Sequence, residues 1–140
     1  MSSPTPPTLP PGFTPHTRHS PLTAPWEPIF ARSTADSVQL AVQIGEPHCN
    51  SRGFAHGGLI SALADNAMGL SAVVASQAGG AVTVGLTLDF MDSAAIGEWL
   101  EFRPVVLKTG RTLAFTECRV VCGERLVAHA TATFRMQAKK

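Results

Sequence analysis

The sequence has few charged residues, few cysteines and no long uninterrupted apolar run, and each shortage excludes a class of protein. Charged residues make up 15% of the 140 positions and the net charge is +1, so the Lys and Arg clusters that bind nucleic acid are missing. The three cysteines are an odd number and their spacing matches no zinc motif. Cys118 and Cys122 fall on one predicted strand, about 13 Å apart, which is beyond the reach of a disulfide. We therefore expect reduced thiols and a cytoplasmic protein.

No segment has the pattern of a signal peptide or a membrane span. The N-terminus lacks the apolar core that a signal peptide requires. The most apolar run, residues 59–74, is interrupted by polar residues or glycine at five positions: Ser61, Asp65, Asn66, Gly69 and Ser71. Because these interruptions make the run too polar for a bilayer, we expect no membrane partner.

The first 25 residues differ in composition from the rest of the chain. Eight prolines lie between Pro4 and Pro25, among Ser and Thr residues. Such a segment cannot bury enough apolar surface to order itself alone, so residues 1–25 are predicted to be an unstructured tail or to lie over a partner subunit. His16 and His19 form too weak a pattern for a metal site. Residues 26–140 are predicted to form one domain.

Apolar residues alternate with a period of two in several segments, and one segment has no polar face. The alternation predicts strands at residues 29–32, 37–44, 82–90, 99–108, 112–122 and 125–136. We expect a bulge near Pro104 in the fourth of these strands. Residues 57–77 are predicted to form a buried helix that Gly79 and Gly80 terminate.

This order of elements predicts an α+β fold. A helix that is apolar most of the way round needs a sheet that wraps it, and a curved antiparallel sheet around one central helix is the simplest arrangement. Such a sheet has open edges and covers the helix only in part. Both features favour a dimer in which two edge strands pair.

The segment from Asn50 to Asp65 carries the candidate chemistry. His56, Gly57 and Gly58 open the helix, where backbone N–H groups lack partners and the helix dipole is positive, so a carbonyl or oxyanion could bind there. The alternatives are a flexible helix start, a capping histidine and an asparagine that only holds its own loop.

Asp65 is the most informative polar residue of the helix. It is a poor helix former among apolar neighbours, and a partly buried carboxylate is a useful base or nucleophile. The alternative is a narrow solvated stripe shared with Asn66. Gly57 and Asp65 are about 12 Å apart along the helix, so both can act on one carbonyl only if Asp65 comes from a second subunit.

These residues resemble the PaaI-like thioesterases of the hotdog fold, related to 4-hydroxybenzoyl-CoA thioesterase and acyl-CoA thioesterase 13. The resemblance covers residues 36–136 and rests on Asn50, the His56-Gly57-Gly58 motif, Asp65, and two later stretches, residues 82–94 and 106–115. It implies hydrolysis of an acyl-CoA thioester, no metal or cofactor, and a homodimer or a homotetramer made of two dimers.

The resemblance also implies a role for each site residue. Asp65 is the nucleophile or the base that activates water, the Gly57 N–H polarises the carbonyl, and Asn50 positions water or the carboxylate. His56 orients the loop or the thioester, and Thr83 holds water near the carboxylate of its own subunit. The remaining expected contacts with substrate come from Gly58, Ser61, Met68, Gly110, Arg111 and Thr112.

Three details of the chemistry stay open at the level of sequence. Where some relatives use Glu, this chain has the shorter Asp65, which favours attack through water over a covalent anhydride. Arg111 could meet the CoA phosphates or could be an ordinary turn cation. Cys49 beside Asn50 invites a cysteine-nucleophile interpretation, but no base stands at a convincing spacing.

Three other functions compete with the thioesterase hypothesis. An acyl-CoA sensor without catalytic activity and a hotdog hydratase or dehydratase would share the fold, and a purely structural dimer would leave Asp65 unexplained. The acyl group, and the choice between CoA and acyl-carrier protein, cannot be read from the sequence. Leu59, Ile60 and Met68 are expected to form walls of the acyl pocket.

Overall fold

A computed structural model describes residues 9–139. In chain order the main elements are β1 (Thr14–Pro15), β2 (Phe30–Ser33), β3 (Val38–Gln43), α1 (Gly57–Ser76), β4 (Gly80–Phe90), β5 (Trp99–Thr109), β6 (Leu113–Cys122) and β7 (Arg125–Gln137). Two short 3-10 helices, Ala24–Trp26 and Glu46–His48, lie in the connections. The predicted helix and strands are therefore confirmed, with ends displaced by two residues or fewer.

Seven strands form one antiparallel sheet in the order β1-β2-β3-β5-β6-β7-β4. The sheet curves round α1, which is the predicted α+β hotdog architecture. Within the described chain β4 pairs only with β7, although β4 is 11 residues long. An exposed edge strand of this length is an open template for pairing with another chain.

Helix α1 is the centre of the hydrophobic core. His56 caps its N-terminus, and eight of its residues are buried against the sheet: Leu59, Ile60, Leu63, Ala64, Ala67, Met68, Ser71 and Ala72. By length and composition alone the helix could cross a membrane, so the prediction that this run is too polar for a bilayer does not hold on composition. Its packing against β3, β4, β5, β6 and β7 is instead that of the core helix of a folded domain.

The helix ends differently from the prediction. Gln77, and not a glycine, takes the left-handed conformation at the C-terminus, with φ of 56°. The two glycines that follow lie where β4 begins, and space there is limited. A Cβ at Gly79 would lie 2.5 Å from the Ala138 carbonyl oxygen. Close approach to Ala138, the residue that follows β7, therefore explains Gly79 better than helix termination does.

The N-terminal segment also differs from the prediction of an unstructured tail. From residue 9 onward it packs on the sheet, with β1 paired to β2; residues 1–8 of the predicted tail lie outside the described residues. Phe13 is only 4% exposed, packs edge-on against the ring of Trp99, shares a small core cluster with Phe30, and lies 4.3 Å below the Arg32 guanidinium. One buried ring stabilises this segment because its prolines lose little backbone entropy on ordering.

The bulge in β5 lies beyond Pro104. Pro104 stays in register with Cys118, and the register shifts between Val106 and Lys108. Strand β3 pairs with β5 only as far as Phe102, so no strand on that side needs an N–H from Pro104. The proline is therefore tolerated without distortion.

Ser71 joins the helix to β3 and provides a test of the core. Its Oγ accepts a hydrogen bond from Val38 N–H at 2.9 Å and donates one to Ala67 O at 2.7 Å, with no exposed surface. Ser71→Ala should lower the free energy of unfolding by about 1–3 kcal/mol, because the Val38 N–H is left buried without a partner. Urea unfolding at matched protein concentration measures the change.

Ser76→Ala is the matched control for that measurement. Ser76 Oγ bonds only Ala72 O, at 2.7 Å, and is partly exposed, so its loss should cost less than about 1 kcal/mol. Equal effects of the two substitutions would contradict the proposed coupling of Ser71 to β3.

Candidate active site

Asp65 lies in the middle of α1, half-buried, and faces β4. Thr83 Oγ1 donates a hydrogen bond to Asp65 Oδ1 at 2.6 Å. The short charge-assisted bond fixes one oxygen of the carboxylate and leaves the other available to a ligand or to water. The sequence predicts that Thr83 holds water near the carboxylate of its own subunit. The structure shows a direct hydrogen bond between the two side chains, and the role in holding water stays a prediction.

Asp65 and Thr83 line a cavity of about 230 Å³. Its apolar wall comes from the helix and from the inner face of the sheet, and consists of Ile29, Leu40, Leu63, Leu70, Val73, Ala81 and Phe134. Asn66 and Gly69 also line it, and a Cβ on Gly69 would lie 3.2 Å from the Phe134 ring. The absence of a side chain at Gly69 therefore keeps the cavity open beside the carboxylate.

The N-terminus of α1 presents an uncommitted backbone donor. His56 Nδ1 accepts a hydrogen bond from Gly58 N–H at 2.8 Å, which caps the helix. Within residues 9–139 the Gly57 N–H has no acceptor. The ring of Phe90 lies 3.4 Å from the position of a Cβ on Gly57. A ligand oxygen could therefore reach the Gly57 N–H beside an apolar wall, at the positive end of the helix dipole.

Asn50 organises the loop before the helix. Its Oδ1 accepts hydrogen bonds from Arg52 N–H at 2.9 Å and from Phe54 N–H at 3.2 Å. These bonds form the turn that the sequence left open as an alternative role for Asn50. The Asn50 amide group has no acceptor in the described part of the chain, so it is free to donate to a ligand.

The predicted site residues form two separate groups in one chain. Asp65 and Thr83 share the cavity, whereas Asn50, His56 and Gly57 are not among the residues that line it. Eight residues of helix separate Gly57 from Asp65, about 12 Å along the axis. No single carbonyl can contact both groups within one chain.

Several predicted pocket residues belong to the core. Met68 has no exposed surface, and Leu59 and Ile60 are 2% and 3% exposed, so the helix presents them to the sheet. None of these three residues lines the cavity beside Asp65, and their expected place in the wall of the acyl pocket stays a prediction. Ser61 Oγ donates to Gly57 O at 2.7 Å and supports the first helical turn.

The predicted CoA-binding turn is exposed. Gly110, Arg111 and Thr112 connect β5 to β6, and Gly110 N–H donates to Leu113 O at 2.7 Å. None of the residues of this turn lines the cavity in this chain. A contact between Arg111 and a phosphate stays a prediction.

Sequence reasoning missed one wall of the cavity. His16, Arg18, His19, Ser20 and Thr23 line it from the N-terminal segment, opposite the helix. The available signal was the run His16–His19, in which charged and imidazole groups interrupt the prolines. Composition alone indicated disorder, because it does not reveal that Phe13 anchors the segment.

The cysteines are free and poor nucleophiles. Burial, and then Glu46, raises the pKa of Cys49, whose Sγ donates to Gly45 O at 3.3 Å. Burial raises the pKa of Cys118 to about 12 and that of Cys122 to about 11. All three thiols are therefore mostly protonated near neutral pH.

Cys49→Ser should leave hydrolytic activity within about twofold of the unsubstituted chain, because no thiolate takes part in the reaction. Treatment of the native protein with iodoacetamide near neutral pH should likewise leave the activity in place, as a steady-state assay before and after labelling would record. A complete loss of activity in Cys49→Ser, with the fold retained, would contradict this prediction.

Comparisons with known proteins give relatives of this chain in sequence and in structure. Residues 52–131 match the thioesterase superfamily. A Pseudomonas aeruginosa protein named as an esterase, PA0474, is 43% identical over 130 residues, which cover 91% of this chain and 97% of the relative. Human acyl-coenzyme A thioesterase 13 is 35% identical over 75 residues, 54% of each chain.

A solved structure gives the same result. A mutant of phenylacetic acid degradation protein PaaI from Thermus thermophilus superposes with a TM-score of 0.74 and 26% identity, over 84% of this chain and 99% of the other. The resemblance to PaaI-like proteins, drawn from the motif around Asp65, is confirmed.

Proposed function

Since the chain belongs to the thioesterase superfamily and is a thioester hydrolase, we propose that it hydrolyses acyl-CoA to a free acid and CoA. The observation that carries the proposal is the pair of groups on α1: the uncommitted Gly57 N–H and the Asp65 carboxylate held by Thr83. One group can stabilise an oxyanion, and the other can activate water.

The proposed site is shared between two subunits. Gly57, His56 and Asn50 of one protomer would face Asp65 and Thr83 of its partner across a two-fold axis. Antiparallel packing of the two helices brings these groups together because it offsets the 12 Å that separates them in one chain, about eight residues of helix. The active unit is then a dimer.

The edge strand β4 supports this dimer. It has no neighbour on its outer side within the described chain, and its apolar side chains Val82, Val84 and Leu86 are 50%, 63% and 37% exposed. Pairing of two β4 edges would cover these side chains and extend the sheet across both subunits. A tetramer of two dimers is part of the same proposal, and analytical ultracentrifugation measures the assembly.

The reaction proceeds by addition and elimination. Asp65 accepts a proton from water, and the water oxygen attacks the thioester carbonyl. The Gly57 N–H of the partner donates to the developing oxyanion, aided by the helix dipole. Collapse of the tetrahedral intermediate breaks the C–S bond, and the proton held by Asp65 passes to the departing CoA sulfur.

Attack by Asp65 itself, through an anhydride, is the competing route. The short Asp side chain favours the water route. A single turnover in ¹⁸O-labelled water tests the anhydride route. Direct attack by water puts the label in the acid product, whereas an anhydride that water opens at the Asp65 carbonyl puts the label on Asp65. An unlabelled product, with label retained on Asp65, would establish the anhydride route instead.

A panel of aromatic and aliphatic acyl-CoAs tests the proposed function. Release of free thiol, followed with a chromogenic disulfide, should show turnover that saturates with substrate. Comparison with the same acyl groups on acyl-carrier protein shows which carrier the enzyme prefers. An assay for hydration of an enoyl-CoA tests the hydratase alternative. Binding of acyl-CoA without turnover of any thioester would favour a sensor and refute the proposal.

A cytoplasmic location is also part of the proposal. It is supported by three free thiols in the described chain. Fractionation of the source cells, with the protein detected by antibody, tests it.

A further inference from the structure

Residues 13–26 form a strap that is fixed at both ends. At the first end Phe13 is buried against Trp99, and His16 N–H donates to Ile29 O at 2.7 Å. At the second end Trp26 O bonds His48 Nε2 at 2.8 Å, and Thr23 is 3% exposed. The middle of the strap is therefore held over the cavity that contains Asp65.

The strap supplies most of the polar groups that face Asp65 across this cavity. Three of them are already paired: His19 contacts Glu27, and Ser20 and Thr23 bond each other at 2.9 Å. The side chains of His16 and Arg18 have no hydrogen-bond partner or ion pair among residues 9–139. Two uncommitted donors thus stand at the strap side of a cavity whose remaining wall is largely apolar.

The charges on the two sides of the cavity are opposite. Arg18 is the one arginine that lines it and Asp65 the one carboxylate, counted over the described residues. Burial, followed by the nearby His19 and Arg18, lowers the pKa of His16, while Glu27 acts in the other direction. His16 is therefore mostly neutral near pH 7 and offers one N–H, whereas Arg18 offers a full charge and a planar set of donors.

We propose that Arg18 and His16 determine acyl-group specificity by binding a carboxylate at the far end of the acyl chain. The inference rests on the proposed function, since it takes the cavity beside Asp65 as the acyl pocket. The preferred substrates are then mono-CoA thioesters of dicarboxylic acids. Guanidinium and carboxylate match in geometry, and the apolar wall accommodates the methylene chain between the two polar ends.

The negative charge of Asp65 fixes the orientation of such a substrate. A terminal carboxylate is repelled from Asp65 and attracted to Arg18, so the thioester end is the one that stays beside Asp65. An alkyl acyl group of equal length lacks this second contact. When such an acyl group is bound, neither Arg18 nor His16 has a protein or ligand partner.

Adipyl-CoA and hexanoyl-CoA provide the matched pair of substrates, because they have equal chain lengths and differ only in the terminal carboxylate. The unsubstituted enzyme should prefer adipyl-CoA by about tenfold in kcat/KM. Arg18→Met should remove this preference by lowering kcat/KM for adipyl-CoA only. Arg18→Lys, which keeps the positive charge, should retain part of the preference. Arg119→Met, which removes an exposed cation on β6, is the control and should change neither value.

Equal kcat/KM for the two thioesters in the unsubstituted enzyme, or equal loss for both in Arg18→Met, would overturn the inference while leaving the thioesterase proposal intact. Thermal melting of Arg18→Met shows whether the variant keeps its fold. Because the Arg18 side chain is exposed, the melting temperature of the Arg18→Met variant should match that of the unsubstituted enzyme.

Binding of non-hydrolysable ketone thioethers of the same two chains decides the inference even if no thioester is turned over. Calorimetry should give tighter binding of the carboxylate analogue to the unsubstituted enzyme, and His16→Phe should reduce the difference. Failure of both analogues to bind, or equal affinities, would refute it. If Arg18→Met bound free CoA more weakly than the unsubstituted enzyme does, Arg18 would be assigned to a CoA phosphate, and the inference would also be overturned.

Discussion

Asp65→Asn is expected to lower kcat for thioester hydrolysis by about 10²-fold or more, because the amide cannot accept a proton from water or attack the carbonyl. Asn has almost the same volume as Asp and can still accept the hydrogen bond from Thr83, so the cavity should keep its shape. KM should change little. Steady-state release of CoA by the variant and the unsubstituted enzyme measures both constants.

Asp36→Asn is the matched control for this substitution. It removes one carboxylate from the exposed turn between β2 and β3, remote from Asp65, and should leave kcat unchanged. Thr83→Val should have a smaller effect than Asp65→Asn, because it leaves the carboxylate in place and removes only its donor. Full activity in Asp65→Asn would exclude Asp65 from the chemistry and require another base.

Mixing two inactive variants should restore activity. Gly57→Pro removes the N–H at the first position of α1, where proline is tolerated, and His56 already has the extended backbone that precedes a proline. A Cβ at Gly57 meets the Phe90 ring at 3.4 Å, which is ordinary contact. We expect Gly57→Pro alone to lower kcat by about 10²–10³-fold. Gly57→Ala, which keeps the N–H, should retain most of the activity.

A mixed dimer of Gly57→Pro and Asp65→Asn protomers contains one intact shared site and one doubly defective site. With random exchange after joint refolding, about a quarter of the sites are intact, so activity should recover to about a quarter of that of the unsubstituted enzyme. If the site lay within one chain, the mixture would show only the average of the activities of the two variants. Mixing each variant with itself through the same refolding step is the control.

The candidate site residues were recognisable from local sequence because each of them conflicts with its surroundings. Asp65 stands in an apolar helix where a carboxylate is unfavourable, and two glycines follow a histidine at a helix start. The structure adds partners to these residues: Thr83 for Asp65, and Gly58 N–H for His56. The strands were equally recognisable, since apolar residues alternate along most of β4 and β7.

The walls of the cavity were not readable. Met68 and Leu70 are both apolar residues of one helix, yet Met68 is fully buried in the core and Leu70 lines the cavity. A helix that is apolar nearly all round gives no periodic signal to separate these two roles. The difference depends on which residues of β3, β7 and the strap face each side of the helix.

The sequence alone determined the α+β class and the central helix, and it singled out the candidate carboxylate and the candidate backbone donor, because local periodicity and local conflict are properties of neighbouring residues. Tertiary structure decided where the N-terminal prolines lie, which residues face the cavity, and that Thr83 meets Asp65 across 18 positions of chain. These depend on contacts between distant segments, and a single buried ring such as Phe13 can order a segment whose composition indicates disorder.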